Sequence, residues 1–351
     1  MVTKRARSRQ AVPARRYRWE DLDEEDLLQL KFRQLRLQLK DSPAWAEVRR
    51  LYAELERRGI RFRPHVWLAE EWFSPDGVPG IAIPFYVAHP RLRELERRYM
   101  GEVEGGSRKW LIRILRHEAA HALDTAYGLR RRAEWRRVFG FASKPYPGDY
   151  TPRPSSRRHV LHLGHWYAQS HPTEDFAETF AVWLGPKARW RRDYEGWPAL
   201  RKLEYVDETM QELRGRRPVV RARHHVEPIR IARRTLRQHY AAMVRHYRSD
   251  DVEKIDNILC RVFTTRRSRA GQLRASRFLR ENAPLLRRRV ASRLDATEYL
   301  VQEMLDHLID RSRRMRLLVR GEKRKALRRV ERLLVTLTRK AQKGVGPWIA
   351  L

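Results

Sequence analysis

His117-Glu118-Ala119-Ala120-His121 sets two imidazoles four residues apart with a carboxylate between them. On a helix that interval is one turn, so both rings leave one face towards a common point where a single zinc ion fits. Glu118 lies a step further round, where it reaches a water on the metal rather than the metal itself. Zinc lowers the pKa of such a water towards about 7, and a glutamate can take its proton as it attacks a polarised carbonyl. A catalytic zinc keeps three protein ligands and an open fourth position, so a third ligand must come from elsewhere. The segment from His171 to Glu178 offers Glu174 and Glu178, four apart on one helical face. One can bind the metal while the other orients a histidine or the ligand itself. The ordinary alternative for such a pair is a solvated acidic face. The apolar neighbours Phe176, Ala177, Phe180 and Ala181 argue against that here.

These groups need rigid elements under them. Ser107 as N-cap, Ile114, Leu115, Ala119, Ala122 and Leu123 as an apolar face and Gly128 as stop predict one long helix around the histidine pair. Two histidines buried on that face would need partners, which a metal supplies. Pro172 and Thr173 open a second helix that runs through Phe180 and Trp183 to Gly185-Pro186. Between the two, 145–156 reads as an ordered loop rich in Pro and Tyr. Upstream, the spacing predicts an amphipathic helix over 21–39 and a second one capped by Ser42, with Pro43 at its first position and a stop at Gly59. Residues 61–73 and Ile81–Val87 read as a small β-sheet split by Ser74-Pro-Asp-Gly77, with Pro84 marking the last strand as an edge. Such an edge could receive an extended peptide, although a plain core strand fits the same residues.

HEAAHALD paired with a downstream Tyr-x6-Glu-x-Phe-Ala-Glu resembles the lethal-factor-like and Pro-Pro-endopeptidase zincins. The stretch from about Trp45 to Val206 resembles the bacterial zinc-binding metallopeptidases, and the likeness spans close to half the chain. It implies an α+β, zincin-like metallopeptidase domain that uses Zn2+ to hydrolyse a peptide or protein substrate. It also implies Glu174 as third ligand beside His117 and His121, with Glu118 as general base. Glu178 and Asp124 become carboxylates behind the ligands, and Tyr167 a donor to the oxyanion, a role that suits a phenol aimed at developing negative charge. His171 and Pro172 between Tyr167 and Glu174 leave the register of that helix open, with Glu178 as the alternative ligand. Tyr167 has a plainer reading as an aromatic packed beside Trp166. His162, His165 and His171 read as surface or loop residues, with His165 a possible donor to a substrate carbonyl.

The chain of 351 residues carries a formal net charge of +34. A field of that size attracts nucleic acid, acidic membrane surfaces or acidic proteins, although arginine spread over solvated helix faces gives the same total. From Arg216 onward 36 Lys and Arg face 13 Asp and Glu, so about +23 of the charge lies in little more than a third of the chain. Glycine and aromatics thin out there, and Arg230–Tyr247, Leu294–Leu308 and Met315–Leu337 read as basic amphipathic helices. The expected organisation is a basic, disordered tail (1–19), the metallopeptidase domain (20–215) and an all-helical basic extension (216–351). That extension could dock an acidic protein or nucleic acid, although no nucleic-acid motif accompanies it and aromatics for base stacking are sparse. A rival reading is a non-catalytic nucleic-acid- or ribosome-associated protein with a structural zinc. The lone Cys260 excludes an intrachain disulfide framework and Cys-rich zinc modules. With no apolar run near the roughly 20 residues of a membrane span and no secretory h-region, a reducing cytoplasm is the expected compartment.

Overall fold

The computed structural model describes residues 17–147, 149–150, 152–153, 156–164, 166–186, 189–247, 256, 258–266, 272–342 and 349–350. Its architecture is mostly helical with a small parallel sheet, in keeping with the α+β expectation. Tyr17 and Trp19 belong to the core and stack with their ring centroids 5.1 Å apart.

The expected helix over 21–39 is broken into short turns. Asp23 caps α1 (Glu24–Gln29) by accepting from the Asp26 amide at 2.8 Å. The chain then turns extended, and the amides of Phe32 and Arg33 donate to the carbonyls of Arg234 and Ala232. Leu27, Leu28, Phe32 and Leu35 are buried all the same. The apolar spacing marked what is buried, while pairing with a distant segment took over the backbone hydrogen bonds that a helix would have used. The next helix, α2 (Trp45–Arg57), starts later than expected because the Ser42 hydroxyl donates to the Leu39 carbonyl instead of capping it. It ends at Gly59, whose φ of +74° suits the reversal.

Strands β1 (His65–Ala69) and β2 (Gly80–Pro84) pair in parallel, Val66 opposite Ile81 and Leu68 opposite Ile83. β2 lies at an edge of this two-stranded sheet, yet all five of its residues are buried. Its far side is met at Ala82, whose amide donates to the Phe73 carbonyl at 2.9 Å. There follow α3 (Pro90–Met100), α4 (Arg108–Tyr127), α5 (Ala133–Phe139), the two-residue strand β3 (Asp149–Tyr150), α6 (Pro172–Leu184), α7 (Trp190–Asp193), α8 (Ala199–Glu212) and α9 (Leu236–Tyr247).

α4 is the central element, packed against α2, α6 and β2. Ser107 caps it by accepting from the Trp110 amide, and Gly128 closes it in the left-handed conformation. Buried residues appear on nearly every side of it, as expected of a helix inside a core. Its position is fixed by a buried ion pair: the Arg116 guanidinium gives two hydrogen bonds of 2.7 Å to the carboxylate of Glu54 on α2. α6, capped by His171 with Pro172 at its first position, is buried along almost its whole length. This first core runs from Tyr17 through Ile229, Leu236 and Tyr240.

A second apolar cluster gathers residues from Leu259 to Leu337. It unites β4 (Phe263–Thr264), α10 (Ala275–Leu294), α11 (Glu298–Arg314), β5 (Leu318–Val319) and α12 (Lys323–Gln342). Two departures from the expected helices stand out. Asp295, in the left-handed conformation, separates α10 from α11, so Leu294 ends one helix instead of starting the next. Beyond Met315 the chain leaves the helix and β5 pairs antiparallel with β4, Leu318 opposite Thr264 and Val319 opposite Phe263, so the extension is not all-helical, and α12 begins only beyond Gly321. A last strand, β6 (Ile349–Ala350), pairs antiparallel with β3.

Candidate metal centre

The histidine pair lies mid-way along α4 and Glu174 in the first turn of α6. His117 Nε2 is 3.1 Å from His121 Nε2 and 2.9 Å from Glu174 Oε2, and His121 Nε2 is 3.3 Å from that same oxygen. These three donors could hold a metal ion. Donors bound at ordinary zinc distances to one tetrahedral ion stand about 3.3 Å apart, so the triangle matches one face of such a site. The donor set of two imidazoles and a carboxylate suits zinc.

Glu178 lies one turn further along α6, with its carboxylate buried behind His117. Its Oε1 is 2.8 Å from His117 Nδ1, and its Oε2 accepts from the Leu163 amide at 2.7 Å. A carboxylate against Nδ1 calls for a proton there, which leaves the Nε2 lone pair facing Glu174 and His121. Burial opposes a charge on His117, but hydrogen bonds and charge from Glu174 and Glu178 outweigh it and raise its pKa. The same histidines hold Glu174 well below the usual carboxylate range despite its burial. Glu174 therefore faces the triangle, and Glu178 faces the back of a histidine.

Glu118 is not one of the three donors and is held by a different partner. Its carboxylate Oε2 accepts from the Ser74 hydroxyl at 2.9 Å, and the same hydroxyl is 3.1 Å from the Glu118 carbonyl. Tyr167 occupies a short turn after Trp166, which adopts a left-handed φ of +54° that is uncommon for so bulky a residue. Its ring centroid is 5.5 Å from that of His117. Burial first, then the charges of Glu174 and Glu118, raise the Tyr167 phenol far above its ordinary value. Its hydroxyl makes no hydrogen bond among the described residues, so it is free to donate to something else.

Asp124 is bound to Arg130, accepting from its backbone amide at 2.7 Å and from its guanidinium, rather than to either histidine. Burial raises its pKa, opposed by Arg130 and in smaller part by His121. His162 and His171 are buried loop residues rather than surface ones. His162 bonds the Arg113 carbonyl at 3.0 Å, and burial lowers it to about 4. His171 caps α6, contacts the Lys144 carbonyl at 2.9 Å and stacks on Tyr146. His165 lies outside the described residues.

Two contacts escape a sequence reading. Tyr146 donates to Glu174 Oε1 at 2.6 Å and so holds the oxygen that does not face the histidines. Ser74 restrains Glu118 from a turn 44 residues upstream. Neither residue belongs to a motif. The hint available was only that Tyr146 sits in a Pro- and Tyr-rich loop and Ser74 in a Ser-Pro-Asp-Gly turn.

Two imidazoles and a carboxylate, gathered on two helices of an α+β fold, form a group that could hold a metal ion. Residues 76–187, about a third of the chain, match a family described as "putative zinc-binding metallo-peptidase". The match contains His117, Glu118, His121, Tyr167, Glu174 and Glu178 and ends before the basic C-terminal region. No curated protein and no solved structure matches the chain. No helix among the described residues is long and apolar enough to cross a membrane.

Proposed function

We propose that the chain is a zinc metallopeptidase whose centre is His117, His121 and Glu174. The observation that carries this reading is the triangle of donors 2.9, 3.1 and 3.3 Å apart, with both its glutamate and its first histidine held from behind. A zinc ion bound there supplies Lewis acidity to a peptide carbonyl and to the attacking water. Glu118 takes the proton of that water and passes it to the departing amine, and Ser74 keeps its carboxylate in one orientation. Tyr167 donates its phenolic hydrogen to the oxyanion that develops at the carbonyl. Tyr146 has its hydroxyl committed to Glu174, whereas that of Tyr167 is uncommitted among the described residues.

The deciding experiment is metal analysis and peptide cleavage on the wild type and Glu118→Gln. Zinc retained by both, with cleavage lost in the variant, is the expected outcome. A wild-type protein that purifies without zinc and does not take it up refutes the centre. Cleavage that survives in Glu118→Gln refutes the assigned base. Tyr167→Phe should keep the metal and the KM while kcat falls, since the lost bond forms only in the transition state.

A further inference from the structure

Away from the metal centre, α10 and α12 pack side by side and leave an open groove of about 740 Å³ between them. Arg289 and Arg293, one turn apart, form the α10 wall. Lys325, Arg328, Arg329 and Arg332 form the α12 wall, at intervals of three and four residues that place them on a single helical face. All six side chains are exposed, and the one remaining lining residue is Glu331. Glu331 is 3.5 Å from Arg289, and Lys325 is 3.5 Å from Glu322. Arg293, Arg328, Arg329 and Arg332 have no ion-pair partner among the described residues.

Like charges at these spacings destabilise the helix that carries them. A row of four on one wall, faced by two more across a cleft, is therefore an arrangement that an anion relieves. Guanidinium groups suit phosphate oxygens, which they grip through two parallel hydrogen bonds. The lining contains no apolar or aromatic residue. A protein partner would want buried anchors of that kind, a lipid surface an apolar face, and a single strand aromatic platforms for its bases. What the lining fits is a regularly spaced phosphate backbone. We propose that the groove between α10 and α12 binds the phosphodiester backbone of a nucleic-acid duplex without reading its bases. The inference is independent of the peptidase reading.

The test is binding of the full chain to random-sequence DNA and RNA duplexes across a salt series, with the matching single strands and polyglutamate as competitors. The wild type should bind at least one duplex, with log Kd changing steeply against log salt. Arg328→Ala with Arg332→Ala should weaken binding about tenfold or more and reduce that slope by about two. A control pair on α2, Arg49→Ala with Arg57→Ala, removes the same charge from exposed positions and should leave affinity and slope unchanged. Equal losses in the two pairs would mean a diffuse attraction by net charge and overturn the groove. Absence of duplex binding, a flat salt response, or preference for single strands or polyglutamate would overturn it as well.

Discussion

The candidate metal centre and the α10–α12 groove both concentrate charge, and they do it in opposite ways. At the centre, His117, Glu174 and Glu178 are buried, and each is fixed by a named neighbour at hydrogen-bond distance. In the groove the arginines are exposed and four of them have no ion-pair partner among the described residues. Burial makes each interaction at the centre strong and makes an unmade one costly, so geometry there has to be held closely. Exposure makes each groove charge cheap to remove and sensitive to salt. The comparison yields contrasting expectations: single changes at the centre should be severe, and single changes in the groove mild.

The largest expected effect is that of Glu118→Gln on cleavage, about 10²- to 10⁴-fold, the range of a lost general base. Next comes the ion pair that seats α4. Glu54→Ala leaves the Arg116 guanidinium buried without its carboxylate, and should lower the unfolding free energy in denaturant by about 3–5 kcal/mol. A loss below about 1 kcal/mol would mean that water reaches Arg116 and that the centre does not rest on this pair.

Glu178→Gln tests whether the carboxylate behind His117 tunes the metal. Removing such a partner usually costs about 10- to 100-fold in metal affinity. Chelator competition should show a loss in that range, with the stoichiometry still one metal per chain at saturation. If Glu178→Gln abolishes binding while Glu174→Gln spares it, the ligand assignment between the two glutamates is reversed.

The two regions were not equally legible in the sequence. The spacing of His117, Glu118 and His121 on one capped helix was readable because Ser107, Gly128 and the apolar face are local signals. Glu174 and Glu178 were readable as a pair, but their division of labour was not. It depends on which side of His117 each one meets, and packing of α6 against α4 sets that. Ser74 and Tyr146 were invisible because their partners lie 44 and 28 residues away. The basic C-terminal region announced itself by composition alone. Its helix boundaries were misplaced where Asp295 and residues 315–319 break the periodicity by turns and a short strand pairing. The helix expected over 21–39 failed for a related reason, since residues 232–234 supply its backbone partners.

Glu96 on α3 sits outside both patterns, buried like the centre but with its Oε2 lacking a hydrogen-bond partner among the described residues. Burial pushes its pKa up to about 7, helped by the charges of Glu104 and Glu71 and opposed by Tyr240. A carboxyl raised in the folded state binds its proton more tightly there than in the unfolded chain. Its contribution to stability therefore falls as pH rises from the ordinary carboxylate range through about 7. Glu96→Gln should match the wild type near pH 4 and exceed it by up to about 3 kcal/mol above pH 8. Unfolding midpoints that stay parallel across this range would mean that Glu96 is solvated in the folded protein.

The smallest effect belongs to the groove. Arg328→Ala with Arg332→Ala touches no buried group, so the change in unfolding free energy should stay within about 0.5 kcal/mol. Its sign is the informative part. If the α12 arginines repel one another as their spacing implies, the double variant is slightly more stable than the wild type in low salt, and the gap closes as salt is added. Thermal unfolding at two ionic strengths resolves this, and zinc content should be equal in both proteins. A double variant that melts well below the wild type at either ionic strength would show that these arginines hold the helical unit together. The groove would then resemble the metal centre, with charge placed for structure, and the contrast between the two regions would fail.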